Sequence, residues 1–185
     1  MNEYEGHWIS TYTGKKVHYL NPLKEEICIE DIAHALALTC RFGGHCNVFY
    51  SVAEHSIRVA NEVDRDHKLA ALLHDAHEAY LHDVPRPIKE DIVRYKEIAD
   101  VIQTAINKKF GLSFGYDVSH ADDVLLATEA RDLLSNTHDW DKLPSPLPIF
   151  IIPIEAPSIV EKMFLDMFEI YSKDLLTKED NNGYK

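Results

Sequence analysis

His74 and Asp75 stand at the end of an apolar run, Leu69-Ala70-Ala71-Leu72-Leu73, and are followed by Glu78 and Asp83 before Pro85 and Pro87. Side chains of this kind belong in water, so setting them against an apolar helical face calls for hydrogen-bond partners or a metal ion that offsets their desolvation. If one helix runs through the segment, His74 and Glu78 lie one turn apart on the same face. Asp75, turned by about 100°, then reaches the same point from the flank. The chemistry on offer is two metal ligands with a carboxylate beside them for proton transfer. For the dipeptide alone, a structural His-Asp hydrogen bond in a core competes with that reading.

Two further segments supply the same kind of side chain. Ser51-Val52-Ala53-Glu54 has the form of a capping box and opens a helix whose inner face carries Val52, His55, Ser56, Val59, Ala60 and Val63. A lone histidine on such a face is usually a satisfied core residue. Farther on, a helix beginning at Ser119 or His120 places Asp122, Leu125, Leu126, Glu129 and Leu133 near one face, so a carboxylate again sits in an apolar stripe. His55, His74, Asp75 and Asp122 together make two imidazoles and two carboxylates. That donor set suits Mn, Co, Fe, Zn or Ni and leaves coordination positions open, a catalytic more than a structural pattern.

The elements that must position these residues are mostly helical. Residues 7 to 20 alternate loosely about Thr13-Gly14-Lys15 and predict a short hairpin. Ile29, Ile32, Ala33, Leu36, Ala37 and Cys40 mark a helix ending before Gly43-Gly44, and the glycines allow a tight loop that carries Arg41, Phe42 and His45. Pro85 and Pro87 predict an extended, stiffened loop from Asp83 to Lys89. A long helix through Ile92, Tyr95, Ile98, Ile102 and Ile106 stops near Gly111. Residues 136 to 157 read as an irregular connection with Phe150-Ile151-Ile152 as a buried or extended piece. A last helix is expected from Ser158 to Leu176, with Ile159, Met163, Phe164, Met167 and Tyr171 inward and a frayed tail beyond it.

Composition narrows the function classes. With 185 residues and 45% hydrophobic content the chain suits one domain, residues 1–185. A net charge of −12 argues against an extended nucleic-acid partner, because tracking phosphates needs an array of Lys and Arg. No apolar run reaches the roughly 20 residues of a membrane span, and the start MNEYEGHW lacks the regions of a signal peptide, so a cytoplasmic location is expected. The three cysteines, Cys28, Cys40 and Cys46, show no CxxC spacing and predict neither a disulfide framework nor a thiolate zinc site.

The order His, His-Asp, Asp resembles the HD-domain metal-dependent phosphohydrolases. The segments carrying the likeness are SVAEHS around His55, LLHDAHEAYLHDVPRPIK around His74, and AD followed by ATEARDL around Asp122. They are similar to the compact branch that includes bacterial 5′-deoxynucleotidases and phage deoxynucleoside triphosphohydrolases, and WISTYTGKKVHYLNP and CRFGGH look closest to phage members of dATP triphosphohydrolase type. The resemblance implies an all-α, compact single HD-domain fold and a divalent metal, with Mg added to the ions named above. Held by His55, His74, Asp75 and Asp122, that metal would have Glu78 handling the attacking water and Asp83 as a second acid or base. Arg41 and Lys89 would hold phosphate, with Arg86 and Arg131 as further cations, and Phe42 would touch base or sugar. Spacing to Thr128-Glu129-Ala130-Arg131-Asp132 favours Asp122 over its neighbour Asp123. The expected substrate is a deoxynucleotide, foremost a dNTP cleaved to deoxynucleoside and triphosphate. A 5′-deoxynucleotidase and a non-catalytic nucleotide-binding module are the alternatives, and a homo-oligomer is expected.

Overall fold

The computed structural model describes residues 6–135, 142–154 and 156–182, the last eight of these by backbone alone. The expected hairpin is present as two short strands, β1 (Ile9–Ser10) and β2 (Lys16–Val17), paired antiparallel with Ile9 opposite Val17. It is pinned to helix α1 (Ile29–Leu38) by Asp31, whose carboxylate accepts from the Thr13 amide at 2.7 Å and the Thr13 hydroxyl at 2.9 Å. Among the described residues, every other regular element is helical.

Helix α1 ends earlier than its apolar stripe predicts. Thr39 is already extended, and Cys40 forms an isolated antiparallel bridge with Ser51 instead of a last helical turn. The backbone bonds Arg41 N to Tyr50 O, 2.9 Å, and Val52 N to Thr39 O, 3.0 Å, draw the chain out of the helix. Ser51 then caps helix α2 (Val52–Asn61), accepting from Glu54 N at 3.1 Å. Glu54 does not close the box; its carboxylate binds Arg58 and the Ile154 amide. Helix α2 is the central rod, packed against α1, against α3 (Lys68–Leu72), against α7 (Tyr116–Leu133) and against α8 (Pro157–Asn182).

The helix expected through His74 and Glu78 is two helices. Helix α3 stops at Leu72, consecutive turns carry Leu73 to His77, and α4 (Glu78–Leu81) begins anew. No Gly or Pro announces the break. By leaving the helix the chain turns His74 and Asp75 inward together, where a continuous helix would have spread them by about 100°. The stretch from Asp83 is extended only to Pro85; Arg86–Asp91 form a short helix, α5, with Pro87 in its first turn, a position where a missing N–H costs nothing. Helix α6 (Val93–Phe110) ends as expected, at Gly111 with φ of 66°.

Helix α7 starts at Tyr116, a turn before the expected residues. Residues 142–154 have no regular structure, and of Phe150-Ile151-Ile152 only Ile151 is buried. The rest of that connection, residues 136–141 and 155, lies outside the described residues. Helix α8 encloses Ser158 in its first turn, so the serine does not cap it, and continues past Leu176 to Asn182. Val160 and Phe164 are its buried residues, with Met167, Phe168 and Tyr171 packed beside them. Ile159 and Met163, expected inside, face outward. The buried cluster extends from Val17 of β2 to Phe164 of α8, and among the described residues no helix is long and apolar enough to cross a membrane.

Candidate metal centre

Helix α2 brings His55, the turn after α3 brings His74 and Asp75, and α7 brings Asp122 to one point. The two Nε2 atoms are 3.3 Å apart. Asp75 Oδ2 lies 3.2 Å from His74 Nε2 and 3.8 Å from His55 Nε2, while Asp122 Oδ1 lies 3.1 Å from His55 Nε2 and 3.8 Å from His74 Nε2. His55, His74 and Asp75 present ligand atoms within 4.8 Å of one another, a group that can hold a metal ion.

The opposite edges of the rings decide what these nitrogens are. His55 Nδ1 meets Glu129 Oε1 at 2.6 Å, and His74 Nδ1 meets the Ala71 carbonyl at 2.7 Å. A carboxylate and a carbonyl only accept, so each Nδ1 carries a proton and donates it. In the neutral ring Nε2 then presents a lone pair. Two lone pairs and two carboxylates converge, with a cation or added protons needed to hold them together. That donor chemistry fits a divalent ion.

The ionisation balance says the same. Burial opposes charge on His74, yet Asp75 and Asp122 raise it well above the ordinary imidazole value. Burial and the Arg41 charge oppose protonation of His55, but Glu129 and Asp122 outweigh them. Burial raises Asp75 and Asp122, and the imidazoles hold both below the usual carboxylate range. The local field favours positive charge at this point.

A pocket of about 400 Å³ opens on the cluster, lined by Asp75 and Asp122, by Glu78, Asp83 and Lys89, and by Arg41 and Phe42. Glu78 is buried; its Oε1 accepts from Lys89 Nζ at 2.5 Å, while Oε2 has no partner among the described residues. Burial, with the charges of Asp75 and Asp83, pushes Glu78 up to about 8 against the pull of Lys89. Asp83 accepts from the Phe42 amide at 3.0 Å, which fixes a loop whose Phe42 adopts a left-handed φ of 56°. Arg86 lines the same pocket, 3.7 Å from Asp123, so Asp122 faces the imidazoles and Asp123 the rim.

Arg131 is not brought to this pocket. It binds Asp132 and the carbonyls of Leu147 and Ile149, holding the irregular segment against α7. Sequence reasoning missed Glu129 as a site residue, and with it Tyr50, whose hydroxyl donates to Glu129 at 2.9 Å. The available signal was spacing: Glu129 follows Asp122 by two helical turns in the same apolar stripe.

Fold and cluster together define an all-α protein with a His/Asp group compatible with an HD-type domain. No family model matches the chain. It is 37% identical over 172 residues to the uncharacterized protein YfdR of Escherichia coli K12, an alignment spanning 90% of this chain and 96% of that protein, and it belongs to the YfdR family. It is also 39% identical over 115 residues to an uncharacterized protein of Rhodobacter capsulatus, covering 57% of this chain and 59% of the relative.

Proposed function

We propose that this chain is an HD-type, metal-dependent phosphohydrolase acting on deoxynucleotides. The observation that carries the reading is the convergence of His55 Nε2, His74 Nε2, Asp75 and Asp122 at a pocket where Glu78 keeps one carboxyl oxygen unpartnered. His55, His74, Asp75 and Asp122 would hold the ion, for which Mn, Co, Fe, Zn, Ni and Mg are candidates. When bound, it supplies Lewis acidity toward phosphoryl oxygen and toward water.

The remaining work falls to the chain. Glu78 is held through Oε1 by Lys89, so Oε2 is presented in one orientation to take a proton from attacking water. Asp83 anchors the Phe42 amide and sits 3.9 Å from Lys89, where it can pass a proton to or from the leaving group. Arg41 is held by Glu129 through Nε and Nη2 and offers Nη1, 3.7 Å from Asp75, to a phosphoryl oxygen. Phe42 offers an apolar face to base or sugar.

Four cations line the pocket, Arg41, Arg86, Lys89 and Lys142, and the exposure of Arg86 and Lys142 favours a ligand whose charge runs outward from the cluster. This supports a dNTP, dATP among the candidates, cleaved at the α-phosphorus to give triphosphate. A second reading, a 5′-deoxynucleotidase, is favoured by the commitment of Arg41 to Glu129 and Lys89 to Glu78, which leaves less charge for a polyphosphate.

A panel of deoxynucleoside mono- and triphosphates with Mn, Co and Mg, products separated as phosphate, pyrophosphate and triphosphate, tests both. Triphosphate from dNTPs is expected. Phosphate from dNMPs with dNTPs untouched selects the second reading, and no metal-dependent product from any nucleotide leaves a binding module.

A further inference from the structure

Glu129 is the most enclosed carboxylate near the cluster, with no exposure to solvent. Burying a carboxylate is costly unless its lone pairs find partners. Oε2 accepts from Arg41 Nε at 3.1 Å with Nη2 in ion-pair contact at the same distance, and Oε1 accepts from Tyr50 at 2.9 Å and from His55 Nδ1 at 2.6 Å. Both oxygens are fully engaged, so the carboxylate cannot swivel, and neither can the imidazole it holds.

The two imidazoles therefore differ in support. His74 Nδ1 rests on a neutral carbonyl one turn back in its own chain; His55 Nδ1 rests on a charged carboxylate delivered from another helix. A carboxylate behind an imidazole fixes its tautomer and strengthens the opposite nitrogen as a donor. We infer that Glu129 is a positioning residue: it aims the His55 Nε2 lone pair at the ion and, through its other oxygen, sets the Arg41 guanidinium at the pocket wall. The inference rests on reading the cluster as a metal site. It gives helix α7 two jobs, one ligand in Asp122 and the support of another ligand in Glu129.

The test compares wild type, Glu129→Gln and Tyr50→Phe in metal-free form, titrated with Mn or Co by equilibrium dialysis with elemental analysis, alongside thermal melts. Glu129→Gln should weaken metal binding about 10- to 100-fold. Tyr50→Phe removes a bond to the same oxygen but leaves His55 supported, so affinity should change by no more than about threefold even where the melting temperature falls. Wild-type affinity in Glu129→Gln would overturn the assignment and leave Glu129 a structural partner of Arg41. No metal binding by wild type would instead remove the site reading itself. Should Glu129→Gln fail to fold, histidine ¹⁵N spectra of the zinc-loaded wild type decide: a His55 protonated on Nδ1 and bound to the ion through Nε2 supports the inference, and any other arrangement of His55 overturns it.

Discussion

Helix α7 carries two arginine-carboxylate pairs within one turn, and they do different things. Glu129 faces inward, fully buried, and binds Arg41 from a loop 88 residues away, together with His55 and Tyr50. Asp132 lies under the irregular segment, accepts from the Ile151 amide and binds its neighbour Arg131, which also gathers the Leu147 and Ile149 carbonyls. Both arginines are candidates from sequence for holding phosphate. Exposure separates them: the inner pair is enclosed on both sides and joined to the cluster, while the outer one keeps a partly exposed arginine and serves to tie down an irregular segment.

The largest expected effect is on the inner pair. Arg41→Met leaves Glu129 buried without its main counter-charge and should destabilise the protein by about 3–5 kcal/mol in denaturant melts. A loss below about 1 kcal/mol would erase the distinction between the two sides of α7.

Glu78, on the same inner side, makes a prediction in pH. Its ordinary value is 4.5 and burial with Asp75 and Asp83 raises it to about 8. The folded form binds this proton more tightly than the unfolded one, so its stabilising contribution is complete below the ordinary value and is lost as pH rises through about 8. Metal-free Glu78→Gln should therefore lose less stability than wild type between about pH 5 and pH 8, by on the order of 3 kcal/mol. Parallel pH profiles would show that Glu78 is not strained by its surroundings.

His82 gives a smaller effect of opposite sign. Its φ of 62° and ψ of 163° fall in a region that glycine tolerates and other residues do not, and the Tyr95 hydroxyl holds its carbonyl at 2.9 Å. His82→Gly should raise stability by about 1 kcal/mol, with Asp83 kept in place. A lowered melting temperature would mean the histidine side chain outweighs the strain. Smallest is the outer pair: Arg131→Met should cost no more than about 1 kcal/mol and leave nucleotide turnover unchanged.

How far the sequence reaches follows the same inner and outer division. The helical stripes of α1, α2, α6 and α7 are legible because an apolar face repeats with the helical period, and Gly111 stops α6 where its backbone freedom is used. His55, His74, Asp75 and Asp122 are legible as polar residues in apolar surroundings, and the structure gathers them. The break between Leu72 and Glu78 is not, because LLHDAHEAYL contains only helix-compatible residues. Pro85 and Pro87 misled in the opposite direction, since proline reads as extended chain yet also starts helices. Glu129 could be assigned a face but not a partner; its partners Arg41, Tyr50 and His55 come from segments that only the tertiary fold brings together.

The central claim is that His55, His74, Asp75 and Asp122 are ligands of one divalent ion. Crystals of the metal-free protein soaked in Mn or Co, with anomalous differences collected at the absorption edge of the soaked ion, test it most directly. One strong peak is expected about 2.0–2.2 Å from both His Nε2 atoms and within bonding distance of the two carboxylates. Full-occupancy metal elsewhere, with the two imidazoles still facing each other across an ion-free gap, would contradict it.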